Sequence, residues 1–143
     1  MLHSKVVTAA RSHIGTRYRD RSQQAGVSLD CYGLLAVTAA DLGVFLPRMG
    51  DYLRPKLSVV LDGLDGPLAK LDGPQAGAVL VLTPGKAKAE RPRLHFAILT
   101  DPSEFRPFGM VHVTRGTGAV VEEAWSPTWQ RITRGFYAFK GAA

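Results

Sequence analysis

Apolar positions recur at helical spacing through the first third of the chain and bunch into short runs through its second half. Val6, Val7, Ala10 and Ile14 share one stripe of a 3.6-residue repeat, which predicts a helix over 4–14 with Ser4 as its cap and Gly15 as its stop. A second helix is predicted over 30–42. Leu34, Val37 and Leu42 fall near one stripe, and Leu35 and Ala39 sit four apart beside it. Asp30 stands at the N-cap and Gly43 at the C′ position. Between the two lies a polar stretch, 20–28, without periodicity, which reads as a loop.

Pro47, Gly50 and Pro55 break the next stretch, leaving room for one short helix over 56–61. Residues 61–77 contain three Leu-Asp-Gly triplets and two prolines, and read as a loop with one helical turn near 68–71. The triplets are too short to be a structural repeat. After Gly77 the texture changes to strand-length apolar runs: 78–82, 94–100, 110–114, 119–123 and 135–140. Residues 83–93 form a polar, basic loop, the turn at 115–118 makes a hairpin of the third and fourth strands, and 125–133 is irregular. Helices first and strands after predict an α+β fold, with N-terminal helices packed on an antiparallel β-sheet. At 143 residues, 1–143 is one domain.

Composition narrows the classes. The hydrophobic share, 45%, is that of a globular protein, and no apolar run reaches the roughly 20 residues needed to span a bilayer. A formal charge of +6 invites an anionic partner. However, the basic residues are scattered (Arg17, Arg19 and Arg21; Lys86, Lys88, Arg91 and Arg93; Arg131 and Arg134), and no nucleic-acid-binding signature accompanies them. Nucleic acid is therefore not expected as a partner. Residues 1–8 carry no secretory pattern, so synthesis in the cytoplasm without a signal peptide is expected. The single cysteine excludes an internal disulfide.

That cysteine, Cys31, falls in the first turn of the predicted second helix. Unpaired N–H groups and the positive end of the helix dipole favour a thiolate there, which predicts a pKa drawn below the usual value of about 8.5. A thiol nucleophile needs an imidazole to take its proton and later protonate the leaving amine, and a third polar group to fix the imidazole tautomer. Of the four histidines, His3 lies at a terminus and His13 in the last turn of the first helix, where a surface role is expected. His95 opens an otherwise apolar strand, and His112 sits inside the next one. Two histidines on adjacent strands of a sheet packed on the cysteine helix can form a relay: Cys31 nucleophile, His95 base, His112 orienter. The bland alternative makes each histidine a satisfied core residue. A zinc site built from the same three residues is not expected, because no Cys-x-x-Cys, His-x-x-x-His or nearby acidic ligand supports it. Neither metal nor cofactor is predicted.

Gly15-Thr16-Arg17-Tyr18-Arg19, Leu29-Asp30-Cys31-Tyr32-Gly33-Leu34, the strand opening with His95, and Met110-Val111-His112 together resemble the NlpC-type cell-wall cysteine peptidases, small relatives of papain. Val120-Val121-Glu122 and Trp129-Gln130-Arg131-Ile132 are similar to the subgroup carried in bacteriophage tails and gene transfer agents. The resemblance implies a papain-like fold and hydrolysis of peptidoglycan stem peptides, at the bond joining γ-D-glutamate to a diamino acid. It implies Cys31, His95 and His112 as the catalytic groups, Tyr18 as a group holding the substrate or oxyanion, and other tail or tail-tip proteins as partners of a virion-borne enzyme acting on the cell wall. Two further readings remain open. One is a structural tail-tip protein with little or no activity, docking through exposed aromatics around Trp125 and Trp129. The other is an amidase or acyltransferase using the same groups.

Overall fold

Residues Leu2–Arg11 form helix α1, and the chain leaves it through turns that end at Gly15, whose φ of +93° suits only glycine well. The helix is shorter at its end than the stripe through Ile14 predicts, and Ile14 is exposed. The computed structural model of the chain describes residues 2–46, 66–85, 93–102 and 108–140. The expected helix over 56–61 and most of the basic loop lie outside those residues.

The polar stretch that reads as a loop carries a small sheet. Strands β1 (Arg17–Tyr18), β2 (Gln23–Gln24) and β3 (Ser28–Leu29) assemble in the order β1-β3-β2, with β1 parallel and β2 antiparallel to β3. Two-residue strands leave no alternating pattern to detect. They are held by long-range partners instead: Tyr18 N–H donates to Gly118 O at 2.9 Å and Val120 N–H to Thr16 O at 2.9 Å.

Helix α2 (Cys31–Asp41) starts on Asp30, whose side chain accepts from Gly33 N–H, and ends on Leu42 and Gly43, with φ +77° at the glycine. It is buried on most sides, at Tyr32, Gly33, Leu34, Leu35, Val37, Thr38 and Ala39, so it runs through the core rather than along its surface. Gly33 is required by close approach: a Cβ there would stand 2.0 Å from the Ser22 carbonyl oxygen. That loop is where the small sheet docks on the helix, because Asp30 N–H donates to Ser22 O at 3.0 Å.

The second half forms a six-stranded sheet from β4 (Leu68–Leu71), β5 (Val79–Leu82), β6 (His95–Leu99), β7 (Gly109–His112), β8 (Val121–Ala124) and β9 (Thr133–Phe139). Its order is β4-β9-β5-β6-β7-β8, every pair antiparallel, and β7 with β8 is the predicted hairpin. Residues 68–71 are thus an edge strand and not a helical turn: pairing with β9 satisfies the backbone there, and only one residue of the four is fully buried. A further helix, α3 (Pro127–Arg131), replaces the expected irregular segment, with Ser126 at its N-cap and Pro127 at its first position.

Alternation along the strands divides the core. Val79, Val81, Phe96, Ile98, Val111 and Tyr137 face α1 and α2. Leu80, Leu82, Ala97, Leu99 and Met110 face the other way and are covered by Trp125, Trp129, Ile132 and Phe136. Both faces are dry, which explains the near-continuous apolar runs of β5 and β6. The fold is α+β, with helices packed on an antiparallel sheet, as the order of elements predicts.

Candidate functional site

Cys31 is the first residue of α2 and is half-buried. Its position is fixed from two sides. The Asp30 carboxylate accepts from Gly33 N–H at 2.7 Å through Oδ1 and from Arg21 N–H at 2.9 Å through Oδ2. Arg21 takes a left-handed conformation, φ +57°, to present that N–H. On the other side, Tyr32 stacks edge-on against Phe96 of β6, ring centroids 5.5 Å apart, which pins the helix start beside the opening of that strand.

The thiol departs from the sequence-based expectation. Burial, reinforced by the neighbouring Asp30 carboxylate, pushes its pKa up to about 11. Backbone hydrogen bonding at Phe96, Tyr32 and Cys31 itself opposes the shift without overcoming it. The helix terminus supplies its N–H groups, but the cap that starts the helix is an anion, and burial withdraws the sulfur from water. Sequence position shows the helix terminus and its acidic cap, but not the burial that dominates the shift.

His95 and His112 are brought together. His95 Nε2 and His112 Nδ1 are hydrogen-bonded at 2.9 Å, with both rings buried. Burial, then the second imidazole and Arg93, lowers the pKa of His95 to about 3. Their strand face is the one opposite α2, shared with Ala97, Leu99 and Met110. His95, however, is the first residue of β6, and the Cys31 sulfur reaches the backbone of the next residue, Phe96. Thiol and imidazole pair therefore converge on the same end of one strand. Among the described residues no hydrogen bond joins the thiol to either ring.

The pair continues to a residue the sequence reading did not single out. His112 Nε2 lies 2.7 Å from Glu123 Oε2, and Trp129 Nε1–H donates to Glu123 Oε1 at 3.2 Å. Trp129 also packs against both imidazoles, tilted against His95 with ring centroids 5.8 Å apart and edge-on to His112 at 5.1 Å. Trp125 is buried, with Nε1–H donating to Thr133 Oγ1 at 3.2 Å. Neither tryptophan is thus the exposed docking surface that the tail-tip alternative expects.

Tyr18 lies opposite Leu29, the last residue of β3 and two residues before Cys31. Its hydroxyl donates to Asp20 and is hydrogen-bonded to Arg115, whose guanidinium donates to Asp20 Oδ2 at 2.8 Å. Burial and the Asp20 carboxylate raise the phenol's pKa, so it remains a neutral donor. His13 is also not where a surface role would put it: it is buried, and its Nε2 meets Asp41 at 2.7 Å, joining the turn after α1 to the end of α2. Among the described residues no group of three or more His, Cys, Asp or Glu side chains is disposed to hold a metal ion, and no helix is long and apolar enough to cross a membrane.

No protein-family model matches the chain, and no curated protein matches it significantly. Solved structures do. An NlpC/P60 family protein from Bacillus cereus superposes with a TM-score of 0.63 at 14% identity, over 94% of this chain and 39% of its own. NlpC1 from Trichomonas vaginalis gives 0.63 at 10% identity, over 96% and 43%. The NlpC/p60 domain of the peptidoglycan hydrolase SagA gives 0.62 at 16% identity, over 96% and 98%. The chain thus spans about two fifths of the first two and nearly all of the SagA domain. Matching them over 94–96% of its length with TM-scores of 0.62–0.63, this chain has the papain-like fold of the NlpC/P60 proteins.

Proposed function

We propose that this chain is a cysteine peptidase that hydrolyses peptide stems of peptidoglycan, at the amide joining γ-D-glutamate to a diamino acid. The observation that carries the reading is the hydrogen-bonded imidazole pair at the very end of β6 where the only thiol of the chain is seated. The fold shared with the SagA peptidoglycan hydrolase domain supports the substrate class.

In this mechanism Cys31 is the nucleophile and His95 the base. The thiol is pushed up to about 11 and His95 down to about 3, so the resting pair is neutral. The thiol proton then passes to His95 as the sulfur attacks the amide carbon, in place of a standing thiolate–imidazolium pair. The oxyanion that forms accepts from the Cys31 N–H at the start of α2. His95 returns the proton to the leaving amine, giving a thioester. Water, deprotonated by the same imidazole, attacks the thioester and restores the thiol. His112 holds the His95 ring by its Nε2. Tyr18 borders the substrate; its hydroxyl proton is directed at Asp20, so its part is to hold the stem rather than to bind the oxyanion.

Mass spectrometry of stem fragments after incubation with purified peptidoglycan tests the reading. Cleavage after γ-D-glutamate is expected from the wild type and none from Cys31→Ala at unchanged fold. Equal digestion by the two would sink it, and release of a different amide would move the assignment to an amidase. The tail-borne role rests on the resemblance of Val120-Val121-Glu122 and Trp129-Gln130-Arg131-Ile132 to the phage and gene-transfer-agent subgroup. It predicts that the chain co-purifies with intact tails.

A further inference from the structure

We infer that Glu123 is a positioning residue for this site: it sets the proton arrangement of the imidazole pair so that the bare nitrogen of His95 is Nδ1. The inference rests on the peptidase reading for its purpose, but not for its geometry. A carboxylate only accepts hydrogen bonds. Glu123 Oε2 at 2.7 Å therefore requires a proton on His112 Nε2, and in the neutral ring this leaves His112 Nδ1 an acceptor. His95 must then donate from Nε2 across the 2.9 Å contact, and its Nδ1 carries the lone pair. Remove the carboxylate and the constraint at the far end disappears. Both rings can then reverse together, placing the proton on His95 Nδ1, where it cannot act as a base.

The carboxylate is itself held. Trp129 Nε1–H takes Oε1 at 3.2 Å, so Oε2 stays aimed at His112. The indole also packs against both rings, which are buried, so water does not compete for the inner nitrogens. When the Cys31 proton arrives at His95 Nδ1, that ring becomes a cation whose Nε2–H still donates to His112. The charge of Glu123 lies at the end of the same chain, so it favours the protonated state that catalysis passes through.

Nitrogen-15 correlation spectra of the histidine rings at neutral pH read this arrangement directly. In the wild type, His112 and His95 are both expected as Nε2–H tautomers. Glu123→Gln, which retains shape but loses the charge, is expected to shift the pair toward Nδ1–H. It should slow alkylation of Cys31 by iodoacetamide and lower kcat about 10- to 100-fold, with KM little changed. A wild type whose His112 carries its proton on Nδ1 overturns the inference, even if the variant does not fold. So do unaltered tautomers and alkylation in a folded variant. If the tautomers and alkylation behave as expected while the wild type leaves stem peptides intact, the peptidase reading fails and the positioning role stands.

Discussion

At the scale of single residues, burial sets the protonation of the site. His95 is 5% exposed, and its pKa is lowered to about 3 chiefly because water cannot solvate the charged ring. An unfolded chain offers that imidazole its ordinary value near 6.5. Between pH 6.5 and 3 the unfolded state therefore binds a proton that the folded state refuses, and stability falls as pH falls through that window. The slope for one proton is about 1.4 kcal/mol per pH unit. Glu122, held below the usual carboxylate range by Arg11, loses its contribution only below its ordinary value of 4.5, which leaves pH 4.5–6.5 as the cleaner interval. Urea unfolding across it should show His95→Gln losing less stability on acidification than the wild type. Parallel lines for the two proteins would mean that His95 is not buried neutral. Cys31 behaves in the opposite sense, since its raised pKa places its loss of stability between about pH 9 and 11.

At the scale of elements, the start of α2 holds two opposed demands. The helix needs an acceptor at Asp30 for Gly33 N–H, yet the same carboxylate raises the pKa of the thiol beside it. Asp30→Asn keeps an amide oxygen for the cap, removes the charge and gives up the bond from Arg21 N–H. The expected result is a loss of about 1 kcal/mol in stability together with a thiol pKa below about 11, followed by thiolate absorbance against pH. An unmoved titration curve would show that the carboxylate has no effect on the sulfur. This cap was legible in the sequence, as were Gly43 and strands β5 to β9, because each follows from local residue chemistry. Of the elements missed, β1 to β3 and β4 are stabilised by distant partners, Gly118, Val120 and β9 among them, and α3 is a single short turn of five residues. Within the site, the imidazole pair could be anticipated from two histidines on successive strands. Glu123 could not, since its approach to His112 depends on the hairpin register. Glu123 pairs with Met110, two residues from His112, close enough on one face for a long side chain to reach diagonally. A register shifted by one residue would have turned it to the other face.

At the scale of the whole molecule, the site exists only while α2 stays registered on the sheet, and the ties that hold it there lie far from the thiol. His13 joins the turn after α1 to α2 through Asp41. Arg11 joins α1 to β8 by a two-pronged contact, Nε to Glu122 Oε1 and Nη2 to Oε2, both at 2.9 Å, and Thr100 Oγ1–H adds a third bond at 2.8 Å. The Glu122 side chain is 13% exposed and that of Arg11 33%, so the pair lies between a surface ion pair worth at most about 1 kcal/mol and a buried one whose rupture costs about 3–5 kcal/mol. Arg11→Met should accordingly destabilise the fold by about 2 kcal/mol, lowering Tm by about 4–8 °C. Most of that cost is the carboxylate left without its cation. Adding Glu122→Gln to the same chain removes the stranded charge while keeping an acceptor for Thr100, and should recover part of the loss. Thermal denaturation of the two variants decides the point. An Arg11→Met protein that melts with the wild type, or a double variant no better than the single, would show that apolar packing alone registers the helices on the sheet. Neither residue touches the imidazole pair, so kcat measured well below Tm should not change, which separates holding the site together from performing its chemistry.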